Sequence, residues 1–350
     1  MKKFIIKGLF FLLPFLCLFF FAFFFYSTDK GDLIRVGYLV DNHQYNPAKI
    51  FKQEYNQPIY FTQTSEINLK AKHHFKVLTI GDSFSEQDSF GYKNYLAKNA
   101  NISLLHYDRI LHENPIETLY GILNGDLLDN VQVDFILLQS IERILVKRAL
   151  EADSNKIILI DTMNKYFTEA KLKQKKPVTT DQLFSNVMLK FAFNNAAYLL
   201  NDHAFKAETY KVKTTKQLFS TNTNELLFYF EDLLYVADNA NVTFLNTLNN
   251  ELNSLSAKLK KRNIKLIFLP GPDKFDLYYP YIVNKEKYPQ PLFFENFTKL
   301  RKDYLYVDAK SILSKAIAEK KDIYYYDDTH WTPYAAILLA NELTKIVQQN

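Results

Sequence analysis

Two short stretches far apart in the chain carry the residue types of acyl-transfer chemistry. Gly81-Asp82-Ser83-Phe84-Ser85 follows the hydrophobic run Lys76-Val77-Leu78-Thr79-Ile80 and precedes a helix-compatible stretch. A serine so placed sits at the carboxyl end of a strand, where open α/β sheets put their active sites. Gly81 permits a tight turn, and the start of the next helix offers backbone N–H groups to a developing oxyanion. Taken alone, Gly-Asp-Ser is more often an ordinary turn in which Asp and Ser act as caps. Near the other end, Asp327-Asp328-Thr329-His330-Trp331-Thr332-Pro333 follows the run Ile323 to Tyr326 and precedes a last helix. A serine hydroxyl is a weak nucleophile at neutral pH. It needs a base within hydrogen-bond reach, itself held in one tautomer by a carboxylate. Ser83, His330 and an adjacent Asp supply all three types, provided that the two loops meet in space.

The elements that must bring them together are apolar, β-rich runs, each followed by a helix-compatible stretch: Phe75 to Ile80, Ile102 to His106, Val133 to Gln139, Lys156 to Asp161, Ile264 to Leu269, Tyr304 to Val307 and Ile323 to Tyr326. This alternation predicts a mostly parallel sheet with helices on both faces, an α/β class. The clearest helix spans about Val242 to Arg262, where Phe244, Leu245, Leu248, Leu252, Leu255 and Leu259 keep a three-to-four residue spacing and lysines gather at the end, as the helix dipole prefers. Between Lys171 and Leu234 the alternation gives way to a Lys-, Asn- and Thr-rich stretch with one amphipathic helix near Gln182 to Leu200, which reads as an insertion beside the sheet.

The serine motif and the late Asp-Thr-His-Trp resemble the SGNH hydrolase superfamily, and more closely the SGNH-like O-acetyltransferases of the alginate acetylation type (AlgX and AlgJ). Two internal stretches add to the likeness: Asp134 to Arg143, ending in Glu-Arg, and Pro270-Gly271-Pro272-Asp273-Lys274-Phe275-Asp276-Leu277-Tyr278. The resemblance covers about Lys76 to Leu343. It implies a three-layer α/β/α domain in which Ser83 is the nucleophile that takes an acyl group, His330 the general base and Asp328 the orienting carboxylate. Asp327 is the rival for that last role, because it stands three residues before His330 as in ordinary SGNH esterases. Two departures stand out. In AlgX and AlgJ the Asp-His motif precedes the serine, whereas here Ser83 comes first, and there is no Gly-x-Asn-Asp block to supply the usual oxyanion asparagine. The backbone N–H of Ser83 and polar groups at Asp82, Gln139, Ser140 or Arg143 remain as oxyanion or substrate candidates. Lys274 and Tyr278 are candidates to grip a sugar or carboxylate, or form a plain Pro-rich turn. Trp331 is a candidate to stack on a pyranose ring or a core anchor.

Composition sets the context. With 350 residues, 48% hydrophobic and 16% aromatic, the chain can bury a large core. Its formal charge of +5 falls to +2 once Lys2, Lys3 and Lys7 are set aside, so nothing points to nucleic acid. The single cysteine, Cys17, excludes an intramolecular disulfide, a Cys-based zinc site and a catalytic thiol downstream. Adjacent His73 and His74 diverge on an extended segment and lack a carboxylate at ligand spacing, so no metal is expected. There is no Gly-x-Gly-x-x-Gly and no P-loop, so no nucleotide or other cofactor is expected either.

From Gly8 to Tyr26 no charged residue occurs over 19 positions, and ten of the thirty Phe lie in the first 26 residues. That length approaches the roughly 20 residues of a bilayer-spanning helix and exceeds the ~7–15 of a secretory h-region. No small-x-small cleavage site comes after it, which favours an uncleaved anchor over a signal peptide. The preceding lysines hold the start in the cytoplasm and export the rest of the chain as an extracytoplasmic (periplasmic) domain on the inner membrane. The expected organisation is therefore 1–27 as cytoplasmic start and anchor, 28–74 as linker and extension, and 75–350 as the SGNH-like domain with an insertion at about 171–234.

The resemblance implies O-acetylation of a cell-surface or exopolysaccharide through an acetyl-serine, with acetyl delivered by a membrane-bound O-acyltransferase (MBOAT) partner. A carbohydrate or lipid esterase and a non-catalytic polysaccharide-binding scaffold are the alternatives.

Overall fold

The computed structural model describes residues 2–25, 31–40, 51, 54–173, 186–221 and 223–350. Part of the predicted extension and part of the predicted insertion, including the start of its helix, lie outside these residues. Eight strands are present among them: β1 Thr62–Gln63, β2 His73–Ile80, β3 Leu104–His106, β4 Val131–Ile141, β5 Thr209–Lys213, β6 Glu225–Tyr229, β7 Lys265–Gly271 and β8 Leu305–Tyr306. Six of them form one sheet in the order β1-β3-β2-β4-β7-β8, every neighbouring pair parallel. β5 and β6 form a separate antiparallel hairpin.

Side chains along the central strands alternate between two apolar layers, as the pleat requires. Val77, Phe135, Leu137, Ile267 and Leu269 face one layer, shared with helices Tyr92–Ala100, Ala309–Glu319 and Pro333–Gln349. Leu78, Ile80, Ile136, Leu138, Leu266 and Phe268 face the other, covered by helices Pro115–Asn124 and Leu145–Glu151 and by the buried leucines of helix Val242–Lys260. The predicted α/β/α arrangement is the one observed. Helix Val242–Lys260 starts where the Asn241 side chain accepts the N–H groups of Thr243 and Phe244.

Two predicted strands are corrected. Lys156 to Asp161 forms none: Ile158 N bonds to Gly121 O, the Asn124 amide donates to Ser154 O and Lys156 O, and Asp126 caps helix Ile160–Lys173 through Ile160 N. These backbone bonds run to the end of helix Pro115–Asn124 and the turn after it rather than to the sheet. Ile323 to Tyr326 makes one isolated bridge, Tyr324 to Trp331, because the Tyr278 hydroxyl takes the Tyr324 N–H.

The expected insertion is more than a neighbour of the sheet. Its hairpin contributes Val212, Leu226 and Phe228, and its Phe219 joins them, to the first apolar layer. At the N-terminus, helix Lys2–Phe25 contains Pro14, and its Ile5–Phe25 portion is long and apolar enough to cross a bilayer. It is a candidate anchor or signal segment. Phe21 packs against Phe191 of helix Asn186–Ala197.

Because the six strands are parallel, β2, β4 and β7 all end on the same sheet edge. The chain runs from β2 outward to β3 on one side and returns to β4 on the other, so the end of β2 is a topological switch point.

Candidate active site

Ser83 lies in the first turn beyond β2 and is half-buried. Gly81 is required beneath it by close approach: a Cβ there would collide with the Ser85 hydroxyl and the Gln139 side-chain oxygen. The turn is fastened by buried polar bonds. Gln139 Oε1 accepts from Asp82 N at 3.1 Å and from the Ser85 hydroxyl at 2.8 Å. The Asp82 carboxylate accepts from Phe84 N at 3.1 Å, Ile141 N at 2.7 Å and Arg148 at 2.7 Å. Burial works against its charge, but Arg148 and the backbone donors outweigh it and hold Asp82 below the usual carboxylate range. Asp82 is therefore an anionic clamp between β2, β4 and helix Leu145–Glu151, occupied on both oxygens. It is not a donor for an oxyanion. The Ser140 hydroxyl accepts from Arg148 at 2.6 Å. Gln139 differs: its Nε2 is buried and has no hydrogen-bond partner among the described residues.

The second loop closes on itself, with Tyr325 N bonding to His330 O and Thr332 N to Ile323 O. Asp328 Oδ1 accepts from His330 Nδ1 at 2.6 Å and from His330 N at 3.0 Å. That bond assigns the proton to Nδ1 and leaves Nε2 as the basic nitrogen. Nε2 is buried and has no partner among the described residues. Burial opposes the imidazolium, yet Asp328 and then Asp32 prevail, so His330 titrates above its ordinary value, while Asp328 is pushed down to about 2, chiefly by His330 against the cost of burial. Asp327 does not reach the imidazole by any hydrogen bond. It is buried, accepts from Gly31 N at 3.2 Å, and is raised by burial and then by Asp328.

The two loops meet. The Phe84 ring, next in sequence to Ser83, packs on His330 at 4.6 Å and on Trp331 at 4.9 Å, and Gln87 donates to Trp331 O at 2.7 Å. Residues 223–350, which include this loop, match the family model of the SGNH hydrolase-like domain of the acetyltransferase AlgX. The resemblance seen in the motifs is thus shown for the C-terminal part, and it supports an acetyltransferase or SGNH-type function. The AlgX-like match covers the histidine loop, β6, β7 and β8, while the Ser83 turn lies upstream of it. No curated protein and no solved structure matches the chain.

Beneath the AlgX-like histidine loop sit Lys274, Tyr278 and Trp331, for which the sequence leaves ligand contact and a structural role both open, and the structure gives them structural contacts. Lys274 is fully buried, and its ammonium donates to the carbonyls of Tyr325 at 2.6 Å, Tyr326 at 2.8 Å and Asp328 at 3.1 Å. Burial lowers it to about 7, against the pull of Asp327, Asp328 and Asp32. All three N–H bonds are spent holding the loop. Tyr278 is buried with its hydroxyl on Tyr324 N, and Trp331 is buried between Phe84, Tyr92 and Gly271, with no ring face open to a sugar. Arg143 lies buried between Asp232 at 3.3 Å and Asp273 at 3.2 Å, bracing the loop that carries Lys274, so it too is engaged.

Two residues outside the sequence motifs belong here, Arg148 and Asp32, together with Thr329, a motif residue to which the sequence gives no role. Asp32 Oδ1 accepts from Thr329 N at 2.9 Å and Oδ2 from the Thr329 hydroxyl at 2.8 Å. No local pattern marks Asp32, which falls just past the apolar run in the stretch expected to be a linker. Asp32, Asp328 and His330 are also the one group of three cation-binding types this close together among the described residues. Asp328 Oδ1 and His330 Nδ1 are bonded to each other.

Proposed function

We propose that the protein is an exported, membrane-anchored O-acetyltransferase that modifies a cell-surface polysaccharide through an acetyl-Ser83 intermediate. The observation that carries this reading is His330 Nε2, buried and without a partner among the described residues beside the Ser83 turn, while Nδ1 is held by Asp328 at 2.6 Å. In the first half-reaction His330 Nε2 takes the Ser83 proton as Oγ attacks the donor carbonyl, and returns it to the leaving group as the acyl–donor bond breaks. In the second, His330 deprotonates an acceptor hydroxyl, which attacks acetyl-Ser83 and regenerates the serine. Oxyanion stabilisation falls to the Ser83 N–H at the start of its helical turn, with the Gln139 amide as a second donor. The donor is a membrane-bound O-acyltransferase, since acetyl thioesters are made in the cytoplasm, and the N-terminal helix keeps the enzyme beside it.

Mass spectrometry after incubation with an activated acetyl ester tests this directly. An acetyl adduct is expected on the Ser83 peptide, absent in Ser83→Ala, with turnover reduced by about three orders of magnitude or more and an unchanged melting curve. Equal turnover in both proteins would remove Ser83 from the mechanism. Lack of turnover in either, with several acyl esters, would leave the scaffold reading. Acceptor sugars that accelerate loss of the adduct would support transfer over hydrolysis.

A further inference from the structure

The segment just past the apolar helix is built into the histidine loop. Gly31 N donates to Asp327 Oδ2, Leu33 N donates to Asp327 O at 3.0 Å, and Asp32 grips Thr329 through both oxygens. Gly31 admits no side chain, since a Cβ would overlap the Asp327 carbonyl. Leu33 and Ile34 are buried in the first apolar layer, and the Thr209 hydroxyl donates to Leu33 O at 2.8 Å. Farther along, Val40 N donates to the Asn195 side chain, whose amide donates back to Tyr38 O. The contact between residues 31–40 and the domain is therefore continuous and specific.

Thr329 stands between the two residues that form the carboxylate–imidazole pair. One oxygen of each of Asp32 and Asp328 and one nitrogen of His330 lie within 4.8 Å of one another. Two carboxylates thus flank one imidazole. Two anions so close repel, and the arrangement is tolerable where a cation forms between them. An imidazolium forms there each time His330 accepts a proton.

We infer that Asp32 is a positioning residue of the proposed triad: through Thr329 it fixes the loop that carries Asp328 and His330, and its carboxylate places a second negative charge beside the imidazole. This rests on the reading of His330 as general base. The charged groups that act on His330 are Asp328 on its own loop, Asp32 from helix Asp32–Gly37 and Arg143 from the turn after β4. The last opposes the other two; Lys274 lowers Asp328, while burial and then Asp328 raise the Asp32 carboxyl against the pull of His330 and the Thr329 bonds. The segment that leads out of the apolar helix would accordingly complete the site, so the site is whole only when residues 31–33 are docked.

The test uses the full chain in detergent or nanodiscs. Asp32→Asn keeps the shape and removes the charge. Turnover of an acetyl ester is expected to fall about tenfold or more in kcat with KM little changed, and the acid limb of the pH profile to move about one unit lower. Thr329→Val removes the hydroxyl bond but keeps the charge, so kcat should fall with the limb in place. Asp32→Glu should restore the limb in part. Independently of turnover, NMR of histidine-labelled protein, with His330→Gln to assign the signal, should give a lower midpoint for His330 in Asp32→Asn. An identical His330 midpoint in folded wild type and Asp32→Asn overturns the inference. If the wild type turns over no acyl ester, the triad reading falls, and the charge pairing stands or falls on the NMR midpoint alone.

Discussion

The turn that carries Ser83 and the loop that carries His330 face each other but are held in different ways. The serine turn is fastened from within the first half of the sheet: Gln139 and Ile141 from the adjacent β4, and Arg148 from the helix after it. The histidine loop has no ladder of its own beyond a single bridge. It hangs from remote segments: Lys274 beneath it, Gln87 beside it, and Gly31 and Asp32 from the far end of the chain. The serine turn is part of the fold's frame, and the histidine loop is docked onto it. Damage to the first should therefore register chiefly as lost stability, and damage to the second as lost activity with a smaller loss of stability.

Removing Arg148 should break this comparison most strongly if it is wrong. Arg148→Met leaves the Asp82 carboxylate buried without its counter-ion, which costs about 3–5 kcal/mol, measurable as a lower denaturant midpoint at unchanged slope. The sign with pH comes from Asp82, whose carboxyl is held low in the wild type. Its contribution is present above the ordinary carboxylate value and is lost as pH falls through the depressed one, so the gap between variant and wild type should narrow in acid. A wild-type midpoint for Arg148→Met would mean that the serine turn is not part of the frame.

On the other side, Lys274→Met leaves three loop carbonyls without their donor. Stability should fall by roughly 2–3 kcal/mol, while kcat falls by about a hundredfold, since the loop that carries the base is loosened. A variant with full activity would show that the loop holds itself.

The pH profile sharpens the contrast without mutation. His330 titrates above its ordinary value of 6.5. A base must be neutral to act, so kcat/KM should rise with pH through a limb above 6.5. Stability runs the opposite way: a raised histidine contributes fully below 6.5 and loses that contribution as pH passes its folded value. An acid limb below 6.5 would contradict the paired-carboxylate geometry.

The smallest effect belongs to Asp327→Asn. The amide oxygen can still accept from Gly31 N, and the bond to His330 comes from Asp328, so kcat should change less than about threefold. A large loss would return Asp327 to the role of triad acid.

Much of the frame is legible in the chain. The apolar runs at Phe75 to Ile80, Val133 to Gln139 and Ile264 to Leu269 correspond to β2, β4 and β7, and the leucine spacing after Val242 to the long helix, because a hydrophobic pattern of one period has one way to bury itself. Lys156 to Asp161 misleads for a related reason: a short apolar run is compatible with a strand, and only the neighbouring helix, by taking its backbone groups, decides otherwise. Lys274, Tyr278 and Trp331 suggest ligand contact in the sequence because a Lys, a Tyr and a Trp near a motif look the same whether they point outward or in. Lys274 and Tyr278 are covered by Phe219 and by the stretch from Tyr324 to Asp328, and Trp331 by Phe84, Tyr92 and Gly271.

The chain's order of residues points to one kind of chemistry: a hydroxyl after one strand, an imidazole two places from a carboxylate near the end, and the alternation that builds the sheet between them. Those are local facts, and local pattern encodes them. Which aspartate holds His330, and that Asp32 and Lys274 support the loop from distant parts of the chain, emerge only on folding. Hydrogen bonds between residues separated by some 297 and 52 positions leave no periodicity to read. Distance and burial, which decide such contacts, exist only once the layers have packed.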